Sequence, residues 1–128
     1  MDGHKVIKTE LAPAAIGPYS QAVCAGNMVF VSGQLGIDPK TGQLVEGGIE
    51  SQTQQAIENV RSILFAEALA MKNVVQVQVF LADMKDFAAM NEIYTKYFTQ
   101  PYPSRAAIQV AALPKGGLVE IMAVAVSD

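Results

Sequence analysis

At 128 residues the chain has the length of one domain and can bury a core without disulfide staples. A formal net charge of −3 with no basic block argues against a nucleic-acid surface, and no apolar run approaches the ~18 residues that a spanning helix requires. Apolar residues make up 51% and charged residues only 16%, an apolar excess that predicts self-association. Cys24 is the only cysteine, which excludes an intramolecular disulfide and a thiol cluster for zinc. With neither signal nor transit pattern at the start, the expected location is cytoplasmic.

Residues 1–11 suit a short edge strand around Lys5 to Lys8, ending before Ala12-Pro13. Gly17 and Pro18 fix a turn that delivers Tyr19 to the start of a strand, and Gly26-Asn27 make a tight hairpin loop. The returning strand from Met28 is β-branched and aromatic until Gly33, and a glycine inside a strand marks a bulge or the close approach of a ligand. Asp38-Pro39-Lys40-Thr41-Gly42 reads as the next turn. From Ile49 to about Met71 the period changes from two to 3.6, with Ala56, Ile57, Val60, Ile63, Leu64 and Ala68 on one stripe opposite Gln55, Glu58, Arg61 and Glu67.

Val74 to Leu81 alternates as a strand, with Val75, Val77, Val79 and Leu81 on one side. Asp83, with Asp86 three residues on, announces a second helix. Its stripe is Phe87, Met90, Asn91, Tyr94, Tyr97 and Phe98, and Pro101 and Pro103 end it. Two apolar segments between Tyr102 and Val126, joined by a Pro-Lys-Gly-Gly turn, close the chain. No linker or repeat interrupts it, so residues 1–128 read as a single domain. The order of elements predicts an α+β fold with two helices on one face of a sheet.

Each of the last two segments carries one charge in an otherwise core-like strand. Arg105 opens the first and Glu120 sits inside the second, and burying either without a partner is costly. Alternation groups Arg105, Ala107 and Gln109 on one face, and Glu120 with Leu118, Met122 and Val124. With Val75, Val77, Val79, Ile108 and Val110 packed on the helices, Gln76, Gln78, Arg105 and Gln109 are expected to point away from them. Arg105 and Glu120 then sit on neighbouring strands as one working pair. A face too apolar for water and too polar for a core predicts contact between subunits, with the pair lining the clefts.

A guanidinium fork matches a carboxylate bidentately, which points to a small anionic substrate. A plain buried ion pair between Arg105 and Glu120 fits the spacing equally well. As a base, Glu120 would position a water, and burial and a nearby arginine pull its pKa in opposite directions. Taken alone, Tyr19 reads as a packed strand-opening residue and Ser32-Gly33 as a bulge. Asn91 is either a satisfied buried amide or a polar reach into a cleft. Cys24 reads as a small core residue, and His4 has no assigned role. Phosphate loops, dinucleotide fingerprints, metal-ligand clusters and a Ser-His-Asp set are absent from the sequence. A cofactor-free, metal-free reaction on a reactive small molecule is what remains.

Three ordered motifs carry a family resemblance over nearly the whole chain: Ala12-Pro13-Ala14-Ala15-Ile16-Gly17-Pro18-Tyr19-Ser20-Gln21, Ser32-Gly33-Gln34, and Pro103-Ser104-Arg105 followed by Leu113-Pro114 and Val119-Glu120-Ile121. The chain resembles the RidA (reactive intermediate deaminase A) family, also called YjgF, some of whose members are labelled L-PSP endoribonuclease. The resemblance implies a chorismate-mutase-like fold with a six-stranded mixed sheet, assembled as a homotrimer with sites at the subunit clefts. It implies hydrolysis of 2-iminopropanoate and 2-iminobutanoate, formed from the enamines of pyridoxal-phosphate dehydratases, to 2-oxo acids and ammonia. Arg105 is then expected to clamp the substrate carboxylate and Glu120 to orient or activate the water, with Tyr19, Ser32, Gly33, Asn91 and the backbone of Ala107 lining the site. Ala107 stands where many members have cysteine, and Met122 where a second glutamate is common. Cleavage of single-stranded RNA and non-enzymatic binding of 2-oxo acids are the rival readings. RNA cleavage without a metal calls on histidine near neutral pH, and His4 is the one candidate.

Overall fold

The computed structural model describes residues 3–128; Met1 and Asp2, which open the segment read as leading into the first strand, lie outside them. Strand β1 spans His4–Ile7, and β2 (Ala22–Ala25) and β3 (Met28–Leu35) form the hairpin expected around Gly26-Asn27. Gly26 takes a φ of 61°, the left-handed conformation that this two-residue loop uses and that glycine adopts without steric cost. Helix α1 (Gly48–Phe65), strand β4 (Val74–Leu81), helix α2 (Phe87–Tyr94) and strands β5 (Ser104–Gln109) and β6 (Val119–Val126) follow. The six strands form one mixed sheet in the order β1-β2-β3-β6-β4-β5, antiparallel except for β4 with β5. A parallel pair needs a crossover connection, and α2 supplies it.

Both helices pack on one face of this sheet. Ala56, Ile57, Val60, Ile63 and Leu64 of α1 are fully buried in one core with Val29 and Val31 of β3 and Val119, Ile121, Ala123 and Ala125 of β6. Full burial of one such side chain contributes about 1.5–3 kcal/mol, so the stripe, more than intrinsic propensity, holds α1 in place. The helix stops at Phe65, short of the expected Met71. Ala68 turns left-handed (φ 59°), its N–H donating to the Phe65 carbonyl at 2.9 Å while Leu69 N–H reaches the Leu64 carbonyl at 3.0 Å, a Schellman closure. Ala68 is therefore an exposed terminator and not part of the stripe.

Two bulges decide which residues face the helices. In β3, Val31 pairs with Ala123 and Gln34 with Ile121, so Ser32 and Gly33 together oppose Met122. In β4, Val74 pairs with Ala125 and Gln76 with the adjacent Val124, which leaves Val75 as the extra residue. Val74, Val77, Val79 and Leu81 are buried, whereas Val75 faces out, contrary to the simple alternation expected of this strand.

The orientation of β5 is also the reverse of the expected one. Arg105, Ala107 and Gln109 lie beside Val77, Val79 and Leu81, so they share the helix-facing side. The Gln109 side chain accepts a hydrogen bond from Met84 N–H at 2.8 Å, at the entrance to α2. Ile108 is left half-exposed on the opposite face with Phe30, Val75 and Met122. The apolar run of β5 is thus outward-facing, and apolarity alone could not distinguish a core face from a face awaiting a partner.

Candidate active site

Arg105 enters from edge strand β5. Pro101 and Pro103 break the chain after α2, and the parallel register with β4 brings Arg105 back beneath that helix. Its Nη1 donates to Asn91 Oδ1 at 2.6 Å, and its Cζ lies 4.7 Å from the ring centroid of Tyr94 and 5.5 Å from that of Phe87. Among the described residues no carboxylate forms an ion pair with it. Burial pushes the Tyr94 phenol up, and the Arg105 cation opposes that shift. Asn91, Tyr94, Thr95, Tyr102, Pro103 and Arg105 line a cavity of about 430 Å³.

Glu120 lies on β6, on the sheet face away from the helices. Desolvation pushes its carboxyl up from the ordinary carboxylate range. The bulge in β3 explains the fit, because a Cβ added to Gly33 would come within 2.8 Å of the Glu120 carboxyl carbon. Gly33 is therefore the residue that makes room for the acid. Tyr19, Ser32, Gly33, Lys115, Glu120 and Met122 contribute to the wall of a cavity of about 690 Å³.

Two buried amides frame that cavity. Gln21 accepts from Thr9 N–H at 2.7 Å and donates to the carbonyls of Thr9, Ala12 and Pro13, clamping the loop that carries Tyr19. Gln52 accepts from Leu118 N–H at 2.8 Å just before β6. Ser32 is committed to the same frame: its hydroxyl donates to the Ser20 carbonyl at 2.6 Å and its N–H to the Gln21 carbonyl at 2.9 Å. The Ser32 carbonyl accepts from Gln34 Nε2 at 3.1 Å.

Within one chain the expected pair does not meet. Strand β4 lies between β5 and β6, and Arg105 and Glu120 stand on opposite faces of the sheet. The neighbouring-strand arrangement is thereby corrected, and the plain ion pair is excluded within the chain. Tyr19, Ser32 and Gly33 group with Glu120; Asn91 groups with Arg105; Ala107, half-buried against the core, borders neither cavity. The aromatic supports of Arg105 were present in the α2 stripe, where Phe87, Asn91 and Tyr94 recur at helical spacing. Reading that stripe as packing alone concealed them. Among the described residues no group of three or more His, Cys, Asp or Glu could hold a metal, and no helix is long and apolar enough to cross a membrane.

Residues 9–127 match the family described as endoribonuclease L-PSP. The chain belongs to this family, the YjgF/RidA proteins. A RidA-family relative from Mus musculus named 2-iminobutanoate/2-iminopropanoate deaminase is 55% identical over 122 residues, covering 95% of this chain and 90% of its own. The crystal structure of RidA from the Antarctic bacterium Psychrobacter superposes with a TM-score of 0.92 at 49% identity, covering 96% of this chain and 99% of that one. E. coli TdcF with bound serine gives a TM-score of 0.92 at 42% identity, covering 97% and 99%. The RidA fold, a six-stranded mixed sheet with two helices, is the one observed here.

Proposed function

We propose that the protein is a deaminase that hydrolyses 2-iminobutanoate, 2-iminopropanoate and their enamine tautomers to 2-oxo acids and ammonia. The observation that carries this reading is full-length likeness to proteins named 2-iminobutanoate/2-iminopropanoate deaminase, at 52–55% identity over 95% of the chain. The chemistry of the two half-sites fits it. Arg105, free of any carboxylate partner among the described residues, offers its fork to the substrate carboxylate. Glu120, with its raised pKa, removes a proton from a water as the oxygen adds to the C=N carbon. Glu120 passes that proton to the imine nitrogen to give the carbinolamine, then takes the carbinolamine hydroxyl proton as the carbonyl forms and delivers it to the departing nitrogen, which leaves as ammonia and restores the carboxylate. Tyr19 and the Gly33 amide orient the imine, and Asn91 holds the clamp.

In this reading one protomer supplies Arg105 and Asn91 and its partner supplies Glu120, Tyr19 and Gly33. Separation of the halves within one chain supports that assignment, as does the apolar sheet face carrying Phe30, Ile108 and Met122. A contact between two different patches must close into a ring or run on as a filament, and we take the ring to be a homotrimer. A cytoplasmic location accords with the lone Cys24. RNA cleavage, raised by the family's printed name, has less support: His4, the only histidine, lies on β1 and lines neither cavity. Coupling the protein to a threonine dehydratase and following decay of the released imine tests the deaminase reading. Acceleration that disappears in Arg105→Ala is expected; no acceleration, or an undiminished Arg105→Ala variant, ends it.

A further inference from the structure

Arg105 stands exposed on an edge strand, yet its side chain is held from three directions. The Tyr94 ring lies 4.7 Å from Cζ, the Phe87 ring 5.5 Å, and Asn91 Oδ1 accepts from Nη1 at 2.6 Å. Tyr94 is itself immobilised, at 4% exposure, by a stack on Phe98 with centroids 4.3 Å apart and planes 27° from parallel. Among the described residues its buried hydroxyl meets no hydrogen-bond partner of good geometry, although Arg105 is near enough to pull the phenol pKa down, and the guanidinium carbon sits over the ring face.

We propose that Tyr94 is a positioning residue. Its ring, braced by Phe98, sets the plane of the Arg105 guanidinium while Asn91 sets its rotation, which leaves the rest of the fork available to a 2-imino or 2-oxo acid in the adjoining cavity. A flexible arginine loses side-chain freedom when it takes a ligand, whereas a guanidinium already held loses less. The carboxylate is bound in ground and transition states alike, so the effect belongs in KM and not in kcat. The kinetic part of this inference rests on the deaminase reading; the binding part rests on the geometry.

The test compares Tyr94→Leu, which removes the ring, with Tyr94→Phe, which keeps it. Calorimetry measures binding of 2-oxobutanoate, and the coupled assay measures KM and kcat for 2-iminobutanoate. Tyr94→Phe is expected to stay within about twofold of wild type on every measure. Tyr94→Leu is expected to weaken 2-oxobutanoate binding and raise KM by about 2- to 30-fold, with kcat changed by less than about twofold. Because a leucine leaves part of the ring's volume empty, nitrogen-15 spectra of the wild-type protein give a reading independent of folding. A held guanidinium gives separate Nη proton signals moved upfield by the ring, assigned by their loss in Arg105→Lys.

A single averaged signal overturns the proposal. So does a folded Tyr94→Leu variant that binds 2-oxobutanoate as tightly as wild type, or a Tyr94→Phe variant as impaired as Tyr94→Leu. Should the wild-type protein leave imines untouched, the deaminase reading falls, while the spectra and the 2-oxobutanoate binding still decide the role of Tyr94.

Discussion

Burial raises the Glu120 carboxyl above the ordinary carboxylate range. A base must be ionised to accept a proton, so kcat/KM on the imine should fall as pH drops through that raised value. Glu120→Gln is expected to lose about 10²–10⁴-fold in kcat and to show no such acid limb in a pH–rate profile. For stability the sign runs the other way. A carboxyl with a raised folded-state pKa favours folding when protonated; that contribution is complete below the unfolded pKa and lost as pH rises through the folded value. Glu120→Gln should therefore melt above wild type at neutral pH, with the gap closing in acid. Gly33→Ala tests the fit between bulge and acid. The added methyl meets a side-chain carboxyl and not backbone, so the protein should fold and melt nearly as wild type while imine turnover falls, because Glu120 has to move.

Helix α1 shows how far an element can be read from spacing. Its buried face was legible because apolar residues at 3.6-residue intervals can serve only one side of a helix. Its end was not legible, because Ala68 adopts a left-handed φ that alanine rarely takes and that local chemistry does not announce. Ala68→Gly should relieve that strain and stabilise the protein by about 1 kcal/mol, read as a rise in Tm of about 4 °C. Ile63→Ala, at a fully buried position on the stripe, should cost about 2–5 kcal/mol in denaturant unfolding. Strand β5 misled the pattern reading for a different reason. Ala106, Ile108 and Val110 look like a core face, but Arg105 and Gln109 are the ones turned to α2, where Asn91 and Met84 N–H bind them.

At the scale of the whole molecule, the separated half-sites make a prediction that no single-chain site shares. Arg105→Ala and Glu120→Ala should each be inactive alone. If the site forms between protomers, subunits unfolded together and refolded as mixed oligomers regain wild-type sites wherever an intact Arg105 meets an intact Glu120. Random mixing in equal amounts restores about one quarter of the sites, half times half, and the coupled assay reads the recovery. A mixture as inactive as its parents would rule out a shared site.

Local signals were enough for the order of elements, the Gly26-Asn27 hairpin, the α1 stripe as far as Leu64, the α2 stripe as far as Tyr94 and the motifs around Tyr19, Gly33, Arg105 and Glu120, because periodicity, turn chemistry and short motifs depend on residues close in sequence. The tertiary structure alone decided that β4 separates β5 from β6, that Val75 turns outward, and that Arg105 and Glu120 occupy opposite faces. Strand order follows from burial between distant segments, and with a side-chain period of two, one extra residue in a strand reverses the face of everything beyond it.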